Sequence, residues 1–154
     1  LSELLYIFGD KEFSIEITTI SGIILANTNL HPIQLVEACK ELVRNEPWRL
    51  RYVLRLIPLE KICKAEINEI HSVVKQLCGK IAQYETFMVM IEKRHTKLRS
   101  MEIISTVTSD LVMKVNLENP NWIILIQIIN RLAGVSILRS TQIFSSVKEK
   151  ISLQ

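Results

Sequence analysis

The stretch WIILIQII, residues 122–129, constrains the fold more than any other part of the sequence. Eight residues cannot cross a bilayer, because a membrane-spanning helix needs about twenty apolar residues. A short apolar run without polar alternation is typical of a strand that is buried on both faces of a sheet. Residues 134–138, GVSIL, predict a final strand that pairs with it through a turn at residues 130–134. We therefore expect a soluble protein built on a sheet.

The sequence between residues 65 and 116 alternates helical and strand patterns. Apolar residues recur at helical spacing in AEINEIHSVVKQLCGK, and Gly79 is expected to end that helix. ETFMVMIEKR predicts a strand with Phe87, Val89 and Ile91 on one side. Ser100 is the expected N-cap of a helix in SMEIISTVTSDLVM. The second half is thus predicted to follow the order helix, strand, helix, strand, strand.

The first half is predicted to have a different order of elements. LSELLYIF predicts a helix, FSIEITTI and GIILA predict a hairpin, and a second helix is expected to begin at Pro32. RLRYVLRLIPLE predicts a strand with Tyr52, Leu54 and Leu56 on one face. This order corresponds to a ferredoxin-like βαββαβ unit without its opening strand. A strand before Leu1 would complete this unit, and whether one precedes it stays open; the sequence does not begin with Met.

The fold class is therefore predicted to be α+β (α/β mixed), with two domains and a tail. We expect a ferredoxin-like domain at residues 1–62, a second domain at residues 63–139, and a polar C-terminal tail at residues 140–154. The boundary between the domains lacks a Gly/Ser-rich linker, so the two domains are expected to pack rigidly.

The sequence contains no recognisable catalytic or metal-binding motif. A glycine-rich phosphate loop, H-E-x-x-H, G-x-S-x-G and C-x-x-C are all missing, and the three histidines are scattered. Cys39, Cys63 and Cys78 leave one thiol over in any disulfide scheme, which favours reduced cysteines in the core of an intracellular protein. We therefore expect no metal, no cofactor and no enzymatic activity.

Positive charge is concentrated in two stretches of the chain. Residues 93–99 carry four cations and no acid, and residues 44–64 carry six cations and two acids, so each stretch has a net charge of +4. The whole chain is only +3, which leaves −5 on the remaining residues. Such asymmetry within a small protein is what an electrostatic binding face requires.

The stretch IEKRHTKLRSMEII places the first of these clusters between a predicted strand and a predicted helix. Its cations would lie beside the unpaired N–H groups of the first helical turn, which favour anions. Arg51 and Arg55, on one face of the predicted strand, are expected to extend the site. Aromatic residues are sparse, which favours recognition of a phosphate backbone over stacking of single-stranded bases. An ordinary solvated turn is the alternative. The predicted phosphate-binding residues of the cluster are Lys93, Arg94, His95, Lys97, Arg99 and Ser100.

Three segments of the second half, ETFMVMIEKRHTKLRS, VNLENPNWIILIQI and AGVSIL, resemble segments that THUMP domains carry in the same order. The first half resembles the ferredoxin-like domain that commonly precedes THUMP, and the combined resemblance reaches about Leu138. It implies that residues 63–139 are a THUMP domain, an RNA-binding module of tRNA-modification proteins. RLRYVLRLIPLEKI and VNLENPNW look closest to the stand-alone branch, similar to the adaptor that presents tRNA to an acetyltransferase making N4-acetylcytidine.

The resemblance therefore implies a cytoplasmic, non-catalytic adaptor that binds tRNA near the acceptor stem and its 3′ CCA end. By position, the four cations of residues 93–99 match the basic loop of the family. Acetyl transfer, which requires acetyl-CoA and ATP in that family, would belong to a partner enzyme, and neither a membrane nor DNA is expected as a partner. Two alternatives stay open: a small-ligand regulatory module built on the ferredoxin-like half, and an assembly protein that uses residues 140–154.

Overall fold

The computed structural model describes residues 1–50 and 52–151, which form two compact units. Unit 1 contains Leu1–Pro58 and the residues from Ile143 onward, and unit 2 contains Leu59–Gln142. The predicted α+β fold class is confirmed. In chain order the helices and strands are α1 (Ser2–Ile7), β1 (Ser14–Ile17), β2 (Ile24–Asn27), α2 (Pro32–Asn45), β3 (Arg55–Leu56), β4 (Lys61–Lys64), α3 (Ile67–Leu77), β5 (Thr86–Arg94), α4 (Ser100–Thr108), β6 (Lys114–Val115), β7 (Trp122–Ile129), β8 (Leu132–Leu138), β9 (Phe144–Ser145) and α5 (Ser146–Ile151).

Unit 2 is built on a five-stranded sheet with the strand order β4-β8-β7-β5-β6. β5 runs parallel to β6 and β7, whereas β8 is antiparallel to β4 and β7. The chain crosses from β5 to its parallel neighbours through α4, because parallel strands cannot be joined by a tight turn. As a result, the carboxyl ends of β4, β5 and β7 and the start of β8 lie together at one end of the sheet.

The core of unit 2 lies between this sheet and the helices α3 and α4. The central residues of β7 are buried, which confirms the prediction of a strand buried on both faces. Burial of each large aliphatic side chain stabilises the fold by roughly 1.5–3 kcal/mol, so this core outweighs the exposed ion pairs. The fully buried side chains from the two helices and from β5 and β7 are Ile70, Val74, Phe87, Ile103, Val107, Ile124, Ile126 and Ile128.

The connection between β7 and β8 is shorter than the sequence predicts. Only Asn130 and Arg131 separate the two strands. Asn130 has a φ of +55°, a left-handed conformation that Asn adopts more readily than most residues. Within β8, Gly134 leaves the space that Leu59 occupies, since a Cβ at that position would lie 2.5 Å from Leu59 Cδ1.

Two helix ends in unit 2 differ from the sequence-based expectation. α4 begins at Ser100 with Arg99 as its N-cap, so the prediction of Ser100 as the cap is wrong. The extended backbone of Arg99 (φ −90°, ψ 130°) marks the change to helical geometry. α3 continues into a 3-10 turn over Cys78–Lys80 and does not stop at a left-handed Gly79. No helix in the described parts of the chain has the length and apolar character needed to cross a membrane.

The end of the sheet opposite to Arg94 is tied by a cluster around Trp122, the first residue of β7. Trp122 Nε1 donates a hydrogen bond to Glu85 Oε2 at 2.7 Å, and Arg139 Nη2 donates to Glu85 Oε1 at 3.1 Å. The guanidinium carbon of Arg139 lies 3.6 Å from the centre of the Trp122 ring. These contacts connect residues beside β5, β7 and β8, three neighbouring strands.

Unit 1 follows the predicted order helix, strand, strand, helix, strand, beginning with α1. β1 and β2 form an antiparallel hairpin, and β3 pairs with β9. Within the described residues these pairs form two separate two-stranded sheets. The ferredoxin-like unit is therefore matched in the order of its elements, while its strands do not join into one sheet.

The segment expected to be a polar tail contributes to the core of unit 1. Phe144 in β9 pairs with Leu56 in β3, and α5 contacts α2. The Phe144 side chain is fully buried and packs in one cluster with Val36, Cys39 and Val43. The sequence pattern does not reveal this role, because a two-residue strand and a six-residue helix are too short to show periodicity.

The strand predicted in RLRYVLRLIPLE is much shorter in the structure. β3 contains Arg55 and Leu56, and its partner β9 is equally short. Tyr52 and Leu54 lie outside β3 and are 87% and 68% exposed, so the predicted strand face that they share with Leu56 is not formed. Arg51, predicted to lie on the opposite face, is outside the described residues.

Candidate nucleic-acid interface

Residues 93–99, which we call the basic loop, leave the carboxyl end of β5 and lead into α4. The side chains of Lys93, Lys97 and Arg99 are exposed, and that of Arg94 is half-buried. Lys93 and Arg94 are the last two residues of β5 and point to opposite faces of the sheet, because side chains alternate along a strand. The structure therefore places the predicted cations at the carboxyl end of β5, with Lys93 and Arg94 on opposite faces of the unit 2 sheet.

Hydrogen bonds hold the basic loop in a defined conformation. Lys93 Nζ donates to Leu98 O at 2.6 Å, and Leu98 N donates to Thr96 Oγ1 at 3.3 Å. Asn130 N donates to Arg94 O at 3.0 Å, which ties the loop to the turn between β7 and β8. A loop ordered in this way loses less conformational entropy when a ligand binds.

One cation of the basic loop has an acidic neighbour. Arg94 Nη2 lies 3.8 Å from Glu92 Oε2, so the expectation that no acid neutralises the loop is wrong at this residue. Glu92 was not counted because it stands just before residues 93–99. A partly exposed pair at this distance contributes about 0–1 kcal/mol to stability, so Glu92 is a weak competitor with a phosphate for Arg94. Within the residues that the structure describes, Lys97 and Arg99 form no ion pair.

His95 occupies an uncommon backbone conformation in the middle of the basic loop. Its φ is +54°, in the left-handed region that residues other than Gly seldom adopt. Such conformations cost free energy and are found preferentially where a site needs a particular shape. The imidazole is exposed, so it is accessible as a hydrogen-bond donor, as the sequence analysis predicts.

The N-terminus of α4 opens onto the basic loop. Its first amides carry the positive end of the helix dipole and have no intrahelical acceptor. Arg99, the N-cap residue, makes no capping hydrogen bond through its side chain within the described chain. Ser100 is therefore not the N-cap, and its backbone N–H is available to a bound anion. Glu102 in the same turn offsets part of the positive potential.

A groove with a volume of about 620 Å³ adjoins the basic loop at the same end of the sheet. It brings in Lys64 from the end of β4 and Arg131 from the turn between β7 and β8, two exposed cations that the sequence analysis does not assign to the site. Lys64 falls within the basic stretch 44–64, whereas Arg131 stands alone in the sequence. The residues lining the groove are Lys64, Ala65, Glu66, His95, Thr96, Lys97, Leu98, Asn130, Arg131 and Leu132.

The second predicted basic surface is not joined to the basic loop by the structure. Arg55 is exposed and lies in β3, which belongs to unit 1, whereas the basic loop belongs to unit 2. Arg51 lies outside the described residues. The roles assigned to these two arginines stay predictions.

The cysteines are placed as core residues rather than as ligands or nucleophiles. Burial raises the pKa of the Cys39 thiol to about 11, and burial likewise raises the pKa of Cys78 to about 11. Burial also raises the pKa of Cys63, with a smaller contribution from the nearby charge of Glu69. Thiolates are the reactive and metal-binding form, so these environments disfavour both roles. Over the part of the chain that the structure describes, no three His, Cys, Asp or Glu side chains are grouped to hold a metal ion.

Comparison with known proteins assigns the domain that carries the basic loop. Residues 64–138 match the family model of the THUMP domain. The chain contains a THUMP domain. This domain includes the basic loop, α4 and every lining residue of the groove. No curated protein matches the sequence.

Two solved structures are similar to this chain in fold. One is the crystal structure of PH1313 from Pyrococcus horikoshii Ot3, with 17% identity and a TM-score of 0.67 over 94% of this chain and 45% of that chain. The other is the crystal structure of TrmN from Thermus thermophilus, with 11% identity and a TM-score of 0.56 over 88% of this chain and 40% of that chain. This chain thus spans less than half the length of either structure.

Proposed function

We propose that this chain binds tRNA through its THUMP domain and acts in tRNA modification. The observation that carries the proposal is the position of the basic loop, at the N-terminus of α4 inside residues 64–138. The exposed cations Lys93, Lys97 and Arg99 lie there in the segment that leads into the first turn of α4, whose amides have no intrahelical acceptor. Arg binds phosphate through two parallel hydrogen bonds and Lys acts as a point charge, so this surface suits the RNA backbone.

The same surface explains how binding could tolerate different RNA sequences. Contacts from cations and backbone amides to phosphates fix the orientation of a nucleic acid but do not read its bases. Most of the affinity then comes from the release of counterions, which makes it depend strongly on salt. The basic loop would therefore position a tRNA rather than select one tRNA by its sequence.

We further propose that the chain is a non-catalytic adaptor in the cytoplasm, without a cofactor of its own, which presents the acceptor stem and 3′ CCA end of tRNA to an acetyltransferase. This finer proposal is supported by the resemblance of RLRYVLRLIPLEKI and VNLENPNW to the stand-alone branch of THUMP proteins. Affinity purification of the protein from its own cells should recover an RNA acetyltransferase together with tRNA. Recovery of tRNA with a different modifying enzyme would overturn the acetylation role and leave tRNA binding standing.

The experiment that tests RNA binding is a salt titration of tRNA affinity for the unchanged protein and for the double variant Arg94→Glu and Arg99→Glu. Affinity of the unchanged protein should fall linearly on a log–log plot with rising salt. Removal of two phosphate contacts should lower the magnitude of the slope by about 1.4 to 1.8, because each neutralised phosphate contributes roughly 0.7 to 0.9. The variant should also bind several tRNA species more weakly by a similar factor.

A matched control is the double variant Lys114→Glu and Lys148→Glu, which makes the same change in net charge at two exposed residues outside the basic loop. Lys114 lies beside Thr86, at the other end of β5 from Arg94. The control should keep the slope of the unchanged protein. Salt-independent binding, or equal slopes for both double variants, would contradict the proposed role of the basic loop.

A further inference from the structure

β5 extends well past its short neighbour β6 in the unit 2 sheet. β5 pairs with β7 from Phe87 to Arg94, whereas β6 pairs with it at Thr86 and Phe87 alone in the described chain. Asn116 N then donates to Phe87 O at 2.9 Å, just beyond the end of β6. The carboxyl-terminal half of β5 is therefore paired on the side of β7 and lacks a neighbouring strand on the side of β6.

Two hydrogen bonds show in which direction the backbone groups of β5 point. The Phe87 carbonyl points to the side of β6, and the Arg94 carbonyl accepts from Asn130 N on the side of β7. Because these directions alternate along a strand, the N–H and C=O groups of Val89 and Ile91 point to the side of β6. They have no hydrogen-bond partner among the described residues. This part of β5, which we call the open edge, can accept one more strand.

Apolar side chains lie along and beside the open edge. Val89 and Ile91 are half-buried and pack against the core between the sheet and the helices α3 and α4. Val115 in β6 pairs with Phe87, and both Val115 and Leu117 are exposed. Exposed apolar residues beside an unpaired strand are typical of surfaces that bind another protein chain.

The carboxyl end of the open edge carries positive charge. Lys93 lies on the same face of the sheet as Val89 and Ile91, because side chains alternate along a strand. Its Nζ donates to Leu98 O at 2.6 Å, which holds the ammonium group near the strand and leaves further N–H donors available. Lys93 forms no ion pair within the described chain, and the side chain of Glu92 points to the opposite face. An added strand is therefore favoured when it places an acidic side chain next to Lys93.

We propose that the open edge binds an extended segment of a partner protein, which joins the unit 2 sheet as a strand beside β5. The segment carries apolar residues at alternate positions, next to Val89 and Ile91, and an acidic residue next to Lys93. Backbone hydrogen bonds supply affinity in this kind of recognition, and alternate side chains supply specificity. Antiparallel pairing is slightly more stable per residue than parallel pairing, so the acidic residue comes first in the segment. The inference goes beyond the proposed function, because it does not depend on RNA.

The probe is a capped synthetic peptide of seven residues, with glutamate first, isoleucine at alternate positions after it and threonine between them. Its Kd for the unchanged protein is measured by fluorescence polarisation, and amide hydrogen exchange then locates the site. At a peptide concentration tenfold above Kd, exchange at Val89 and Ile91 should slow about tenfold, because about one protein molecule in eleven stays free. The amides of Met88 and Met90, which point to β7, should keep their rates. Unchanged exchange at Val89 and Ile91, or absence of binding, would overturn the proposal.

Two N-methylated peptides test the backbone pairing without any change to the protein. One is methylated at the two isoleucines that face Val89 and Ile91, and its N–H groups can no longer donate to β5. It should bind about thirtyfold more weakly, the effect of losing two hydrogen bonds. The other is methylated at the two threonines beside them, whose N–H groups point away from β5, and should bind as the parent peptide does. Equal affinities of the two peptides would contradict strand addition.

The substitution Lys93→Glu tests the charge of the partner segment. It should weaken binding of the glutamate peptide about fivefold, as expected for one exposed ion pair, and a peptide with lysine first should bind the variant better than the unchanged protein. Lys148→Glu, in α5, makes the same change in net charge and should affect neither peptide. An equal response of both peptides to Lys93→Glu would overturn the acidic partner. A doubled mass in sedimentation, with Val89 and Ile91 already protected without peptide, would assign the open edge to a second copy of the chain and overturn it as well.

Discussion

At the scale of single residues, the clearest dependence on protonation lies at Glu85, far from the basic loop along β5. The hydrogen bond from Trp122 Nε1 lowers the pKa of Glu85 from its ordinary value of 4.5, and the backbone N–H of Ala82 and the guanidinium of Arg139 lower it further. The carboxylate form is therefore favoured by the folded protein. Its contribution to stability is complete well above pH 4.5 and is lost as the pH falls through the lowered pKa.

We predict that Glu85→Gln destabilises the protein at pH 7 and weakens the dependence of its stability on acid. The amide keeps the shape of the side chain but loses its charge-assisted bonds to Trp122 and Arg139. Urea unfolding at several pH values between 7 and 3 should show a lower midpoint at pH 7 and a smaller drop towards pH 3. Glu118→Gln, in an exposed loop before β7, is the matched control. A variant with the same acid dependence as the unchanged protein would contradict this account.

At the scale of helices and strands, long regular elements are predictable from the sequence and short paired ones are not. The apolar run of β7 and the alternation in β5 predict both strands, because each pattern extends over eight or more residues. β3 and β9 contain two residues each and stabilise one another across a long separation in sequence. No local pattern can indicate a strand whose partner among the described residues is so distant and so short.

The candidate site also has one part that the sequence predicts and one part that it does not. The basic loop is visible in the sequence because its cations are adjacent, and the start of α4 beside it follows from helical periodicity. The groove is not visible, because the pairing of Lys64 with Leu132 across β4 and β8 is what brings Lys64 close to Arg131. The hydrogen bond from Asn130 to Arg94 then adds the basic loop. Each of these contacts depends on strand register, which a single sequence does not reveal.

At the scale of the whole molecule, the described residues form two core clusters, and the segment expected to be a tail contributes to one of them. The segment from Ile143 onward belongs to unit 1, and Phe144 is its fully buried contribution to that core. Deletion of residues 140–154 as a test of an assembly role would therefore also remove a buried aromatic side chain from unit 1. A change in oligomeric mass after such a deletion would reflect loss of folding as much as loss of an interface.

A single substitution is a better test of whether the core of unit 1 depends on this segment. We predict that Phe144→Ala destabilises unit 1 by about 3–5 kcal/mol, the usual effect of removing a fully buried aromatic side chain. Hydrogen exchange should become faster at the amides of α2, which contributes Val36, Cys39 and Val43 to the same cluster. The amides of β7, in the core of unit 2, should exchange as they do in the unchanged protein. Val147→Ala, at an exposed position in α5, should change neither set. Unchanged exchange in α2 would show that residues after Ile143 do not support the core of unit 1, and faster exchange in β7 would show that the two cores unfold together.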